Sequence, residues 1–132
     1  MNIKRSIVLS LTLSTILMGT VTQIQAASDE VTVYSSRKEH LIKPLFEQFT
    51  KKTGIEVNYL TGSGGDLIER LKLEGHNTPA DMFMTVDAGD LWYAGTQDIF
   101  QSVVTDTIQS NIPMHLRDPE GLWTGLSVRA RT

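Results

Sequence analysis

Val31-Thr32-Val33-Tyr34-Ser35-Ser36-Arg37 is the stretch that decides the fold. Its first four residues are β-branched or aromatic and read as a strand, which the polar Ser35-Ser36-Arg37 ends as a turn. Leu41, Ile42, Leu45, Phe46 and Phe49 then recur at helical spacing, predicting one apolar helix face over about residues 39–53. Pro44 fits only the first turn of a helix, so the regular part is expected to begin near Lys43. Gly54 stands where a helix-terminating glycine belongs, after Lys51 and Lys52, which suit the negative end of the helix dipole.

The same alternation continues outward. Ile55–Leu60 predicts a second strand, and Thr61-Gly62-Ser63-Gly64-Gly65-Asp66 a turn whose glycines permit positive φ and close backbone approach. Asp66 is the expected cap of a helix carrying Leu67, Ile68, Leu71 and Leu73, which ends at Glu74-Gly75. Asp81–Val86 is nearly continuously apolar and predicts a strand buried on both faces. Asp87 and Asp90 flank the start of a short helix with Leu91, Trp92 and Ala94, and one or both are expected to cap it. Beyond Gln97 the signals weaken, although Trp123–Ala130 reads as extended. Strand and helix in alternation give an α/β fold with a parallel sheet and right-handed crossovers. Ligands of such sheets sit beyond the carboxyl ends of the strands, which brings together Ser35–Arg37, Thr61–Asp66 and Val86–Asp90.

Residues 1–26 read as a secretory signal peptide: Lys4 and Arg5, an uncharged apolar run over Ser6–Val21, then Gln23-Ile24-Gln25-Ala26. The apolar run is short and broken for a membrane span. Removing residues 1–26 takes away two basic residues and leaves 10 Lys+Arg against 15 Asp+Glu, a net charge of -5. That acidic balance offers no general nucleic-acid surface. The 132-residue chain has no cysteine, which excludes disulfide scaffolds, thiol catalysis and cysteine-zinc sites. His40, His76 and His115 are not at metal-ligand spacing and read as surface residues. Gly62-x-Gly64-Gly65 lacks the full dinucleotide or phosphate-loop pattern, leaving only loose anion contact through backbone N–H groups.

Arg37 is the sharpest single residue. A guanidinium directly after the first strand offers a planar fork of donors to a carboxylate, carbonate or phosphate. An exposed turn arginine is an equally weighted reading of the residue alone. Ser36 and Ser63 share that edge, with Asp87 as a further polar residue.

Five segments carry a resemblance: Val33–Arg37, Phe46–Gly54, Thr78–Asp81, Thr85–Trp92 and Gly125–Thr132. In this order they resemble the periplasmic ferric-iron-binding proteins, the substrate-binding components of iron(III) ABC importers. The resemblance implies a type II periplasmic-binding clamshell of two α/β lobes. Fe(III) would lie in the cleft on tyrosine phenolates, with a synergistic anion such as carbonate. It also implies a soluble monomer when full length, located in the periplasm, no enzyme activity, and delivery to a membrane permease. Residues 27–125 would belong to the N-terminal lobe, and residues 126–132 would start the crossover strand.

On that alignment the neighbouring tyrosines that hold the metal lie beyond residue 132, so the chain is expected to be the N-terminal part of a longer protein that does not bind iron alone. Some members place a histidine after the first strand and a glutamate after the third, where this chain has Lys38 and Val86. It resembles instead the branch with arginine at position 37, so the resemblance carries Arg37 over as an anion contact, and not His40 as an iron ligand. Asp87 and Arg129 are the remaining expected cleft residues. The alternatives are a same-fold binder of an oxyanion, thiamine or a polyamine, and a secreted hydrolase, for which the sequence supplies no nucleophile–base pair.

Overall fold

The central strand of the computed structural model, which describes residues 29–128, is Glu30–Ser35 (β1). It pairs in parallel on one side with Glu56–Thr61 (β2) and on the other with Met82–Met84 (β3), in the order β2-β1-β3. Pleating sends successive β1 residues to opposite faces. Val33 packs with Ile42 and Phe46 of the helix Glu39–Thr53 (α1), joined by Val31, Val57, Tyr59 and Met84. Tyr34 packs on the other face with Leu67 and Leu71 of the helix Gly64–Glu74 (α2), joined by Leu60 and Phe83. Burying each such large apolar side chain stabilises by about 1.5–3 kcal/mol, so Ile42 and Phe46 are the main anchors of α1 on the sheet. The α/β/α sandwich agrees with the alternation read from the sequence.

Local chemistry sets the helix ends. Gly54 takes φ 79°, a left-handed conformation that a side chain disfavours, and its N–H closes on the Thr50 carbonyl at 2.8 Å. The α1 start differs from expectation. The helix begins at Glu39 rather than Lys43 and carries Pro44 in its second turn. Pro44 removes one donor opposite the His40 carbonyl, but both residues are exposed, so water can serve that carbonyl. At α2 the cap is Ser63, whose Oγ accepts from the Asp66 N–H at 3.2 Å. Asp66, the cap expected from sequence, sits instead in the first turn, where a carboxylate favours the positive end of the helix dipole.

The third strand is also shorter than expected. Only Met82–Met84 pairs with β1, and Met82 is 49% and Val86 46% exposed. Thr85 turns out of the ladder because its hydroxyl bonds to Asp90, at the first turn of the helix Ala88–Gly95 (α3). Asp87 caps α3 as predicted, accepting from the Gly89 N–H at 2.7 Å.

The weak signals after Gln97 conceal a short helix, Asp106–Asn111 (α4), capped by Thr105. Trp123–Ala130 is not a strand over its described part. Thr124 forms one isolated antiparallel bridge with Arg117, and Leu126 and Val128 face solvent instead of a core. The expected signal segment 1–26, Arg129 and the end of the 126–132 segment lie outside the described residues. Among the described residues no helix is long and apolar enough to cross a membrane.

Candidate functional site at the carboxyl edge of the sheet

Parallel pairing places the ends of β1, β2 and β3 on one edge, and the backbone ties their loops together. The Gly62 N–H donates to the Ser35 carbonyl at 3.2 Å, joining the β2 loop to β1. The Ser36 N–H donates to the Met84 carbonyl at 2.9 Å, joining the β1 loop to β3. Ser35, fully buried, accepts from the Arg37 N–H through Oγ at 3.2 Å, which fixes the backbone carrying that guanidinium.

Side chains continue the seam. Ser36 Oγ donates to Thr85 Oγ1 at 3.0 Å, and Thr85 Oγ1 donates to Asp90 Oδ2 at 2.8 Å. The Val86 N–H donates to Ser36 Oγ at 3.2 Å, and the Asp87 N–H to Thr85 Oγ1 at 3.3 Å. Asp90 lies against Gly64, where an added Cβ would collide with the carboxylate. The carboxylate therefore sits beside the first turn of α2 and faces the positive end of its dipole.

The structure thus unites Ser36 with the Thr85–Asp90 segment. Arg37 is half-buried, and among the described residues its guanidinium makes no ion pair or hydrogen bond. Ser63 is exposed and occupied as an acceptor by its capping bond. Asp87 is exposed and likewise engaged as a cap. Sequence reasoning missed Thr85 and the role of Asp90. Their signal was spacing: a hydroxyl at the end of a strand five residues before an acid on the following helix.

Two of the three tyrosines are committed to carboxylates. Tyr34 is 2% exposed and its hydroxyl donates to Glu74 at 3.0 Å. Burial first, and the Glu74 carboxylate second, push its phenol above the ordinary value. Tyr59 packs against Phe46 with the rings tilted by 47° and donates to Glu39 at 3.1 Å, and burial with that bond raises its phenol too. Both hydroxyls are thus engaged by neighbouring carboxylates, whereas Tyr93, on α3, is 40% exposed. Among the described residues no group of three or more His, Cys, Asp and Glu side chains comes together at metal-binding distance. A surface hollow of about 340 Å³ lies elsewhere, between Trp92 and Trp123, and among the described residues none of the predicted site residues lines it.

Residues 34–130 match the family model described as bacterial extracellular solute-binding protein. The chain belongs to this family. Among curated relatives, this solute-binding protein is 44% identical over 102 residues to iron uptake protein A1 of Synechocystis sp., a match covering 77% of this chain and 28% of the relative. Among solved structures it is similar to Trichodesmium IdiA (FutA), described in complex with iron and citrate ligands, with 50% identity and a TM-score of 0.69 over 73% of this chain and 30% of that one. It is also similar to the ferric iron-binding protein A of Mannheimia haemolytica in an open conformation, with 39% identity and a TM-score of 0.70 over 74% and 31% of the two chains. The solute-binding chain therefore spans under a third of the length of these relatives. Its α/β sandwich is a part of the type II periplasmic binding-protein fold.

Proposed function

We propose that this chain is the anion-holding portion of an extracytoplasmic solute-binding protein that captures ferric iron with a synergistic anion and delivers it to an ABC importer permease. The observation that carries the reading is Arg37: a half-buried guanidinium, without an internal ion pair among the described residues, at the edge where three strand ends converge. A relative of 50% identity described with iron and citrate supports the same ligand chemistry. Fe(III) is a hard cation that prefers anionic oxygen, and Arg37 repels it unless an anion intervenes. Arg37 is then the main anion contact, with Ser36 and Ser63 beside it, Asp87 and Arg129 as polar cleft residues, and carbonate as the reference anion. On this reading the metal's phenolates come from chain outside residues 29–128, because the Tyr34 and Tyr59 hydroxyls are bonded to Glu74 and Glu39 and Tyr93 is the single tyrosine of α3.

On this reading residues 1–26 direct export to the periplasm, residues 27–125 form N-terminal lobe structure, and residues 126–132 begin the crossover. The full-length protein acts as a monomer and is not an enzyme. The test is a chimera in which residues 29–128 replace the matching part of the Trichodesmium protein, titrated with ferric citrate. The account expects a stoichiometric phenolate-to-iron charge-transfer band from the chimera and none from the 132-residue chain. A stoichiometric band from the 132-residue chain, or none from a folded chimera, contradicts it.

A further inference from the structure

The hydroxyls at the carboxyl edge have a direction. A carboxylate oxygen only accepts, so Thr85 must donate its single hydroxyl proton along the 2.8 Å bond to Asp90. Toward Ser36 the Thr85 oxygen can then only accept, which makes Ser36 the donor across their 3.0 Å bond. The one Ser36 proton is thereby committed inward. Its oxygen accepts the Val86 N–H at 3.2 Å and, at a half-buried position, keeps a lone pair for anything arriving at the edge. The next residue, Arg37, has donors only. Asp90 is held in the orientation that starts this order by its seat against Gly64, beside the first turn of α2.

We propose that Asp90 is a positioning residue that fixes Ser36 as an acceptor, so that the edge selects an oxyanion that keeps a proton over one that has none. An anion of the hydrogen carbonate or hydrogen phosphate type places its oxygens on Arg37 and donates its own O–H to Ser36. A fully deprotonated tetrahedral anion leaves the Ser36 lone pair facing an oxygen lone pair, and a site built to accept a ligand proton rejects the analogue that lacks it. The inference rests on the edge being the anion half-site proposed above.

The test uses the 132-residue chain with inorganic phosphate and inorganic sulfate at pH 7, followed through the amide resonances of Ser36, Arg37 and Val86. Phosphate carries a proton at that pH and sulfate does not. The expected result is phosphate bound about tenfold more tightly than sulfate, the worth of one hydrogen bond. Asp90→Asn, whose amide can donate to Thr85, and Thr85→Val, which interrupts the relay, should both bring the ratio near one, while Thr85→Ser retains it. A purely structural tie between the β1 and β3 loops would change unfolding midpoints without moving this ratio. Equal binding of the two anions to the wild-type edge, or a ratio unchanged in both interrupting variants, overturns the inference while leaving the anion half-site standing. No shift at these amides with either anion removes the half-site itself, and the inference with it.

Discussion

Gly64 is held to glycine by its neighbour and not by its own backbone. Its φ is not positive, but a Cβ there would drive into the Asp90 carboxylate, whereas a Cβ on Gly65 meets nothing within 4 Å. Gly64→Ala should therefore cost about 1–3 kcal/mol through overpacking. Gly65→Ala should be neutral or stabilising by up to about 1 kcal/mol, because alanine is the better helix former. Urea unfolding of both variants checks this, and equal midpoints would show that Asp90 yields freely. The contrast also shows where residue-scale reading stopped. Sequence located the glycine turn and Arg37, since strand and helix signals bracket them, and read the glycines as permitting positive φ and close approach; the structure shows no positive φ at Gly62, Gly64 or Gly65 and a close approach at Gly64 by a side chain. Which atom approaches a glycine depends on a helix more than twenty residues later, and no local pattern encodes that.

At the scale of elements, the end of α2 is tied to β1 by a polar knot around Glu74. Its carboxylate accepts from the Thr78 hydroxyl at 2.7 Å, from Arg70 Nε at 2.6 Å and from the buried Tyr34 hydroxyl at 3.0 Å. The Thr78 bond first, then Arg70, hold this carboxyl below the ordinary glutamate range. A carboxyl whose folded pKa is depressed adds stability above its unfolded pKa, about 4.3, and loses it as pH falls through the folded value. The urea midpoint of the wild type should thus drop more steeply between pH 5 and pH 3 than that of Glu74→Gln. Parallel pH profiles would mean that the knot forms no better in the ionised state.

The elements themselves were largely legible, because Leu41 to Phe49 and Leu67 to Leu71 repeat at helical spacing around a β-branched strand. The limits of β3 were not. An apolar run fixes a strand's existence but not where a side-chain bond, here Thr85 to Asp90, pulls it from the ladder. The short α4 escaped because six residues carry too little periodicity to outweigh a loop-like composition.

For the molecule as a whole, the parallel sheet delivers Ser36, Arg37, Ser63 and the Thr85–Asp90 segment to one edge, while the Tyr34 and Tyr59 hydroxyls are bonded to Glu74 and Glu39. On the proposed reading, the anion falls to this edge and the metal's phenolates to residues outside 29–128. The topology was readable from the order of elements, and with it the location of the edge. The proton order along it was not, because it follows from three side chains meeting only in the folded state. The most direct test of Arg37 as the anion contact is ferric citrate titration of the chimera carrying Arg37→Ala, Lys38→Ala or His40→Ala. Loss of one charge-assisted contact, about 1.5–3 kcal/mol, predicts a ten- to hundredfold weaker affinity for Arg37→Ala, with the other two close to wild type. A dominant loss at His40 with Arg37→Ala unchanged would contradict the account and make the histidine, not the bound anion, this chain's contribution to the metal.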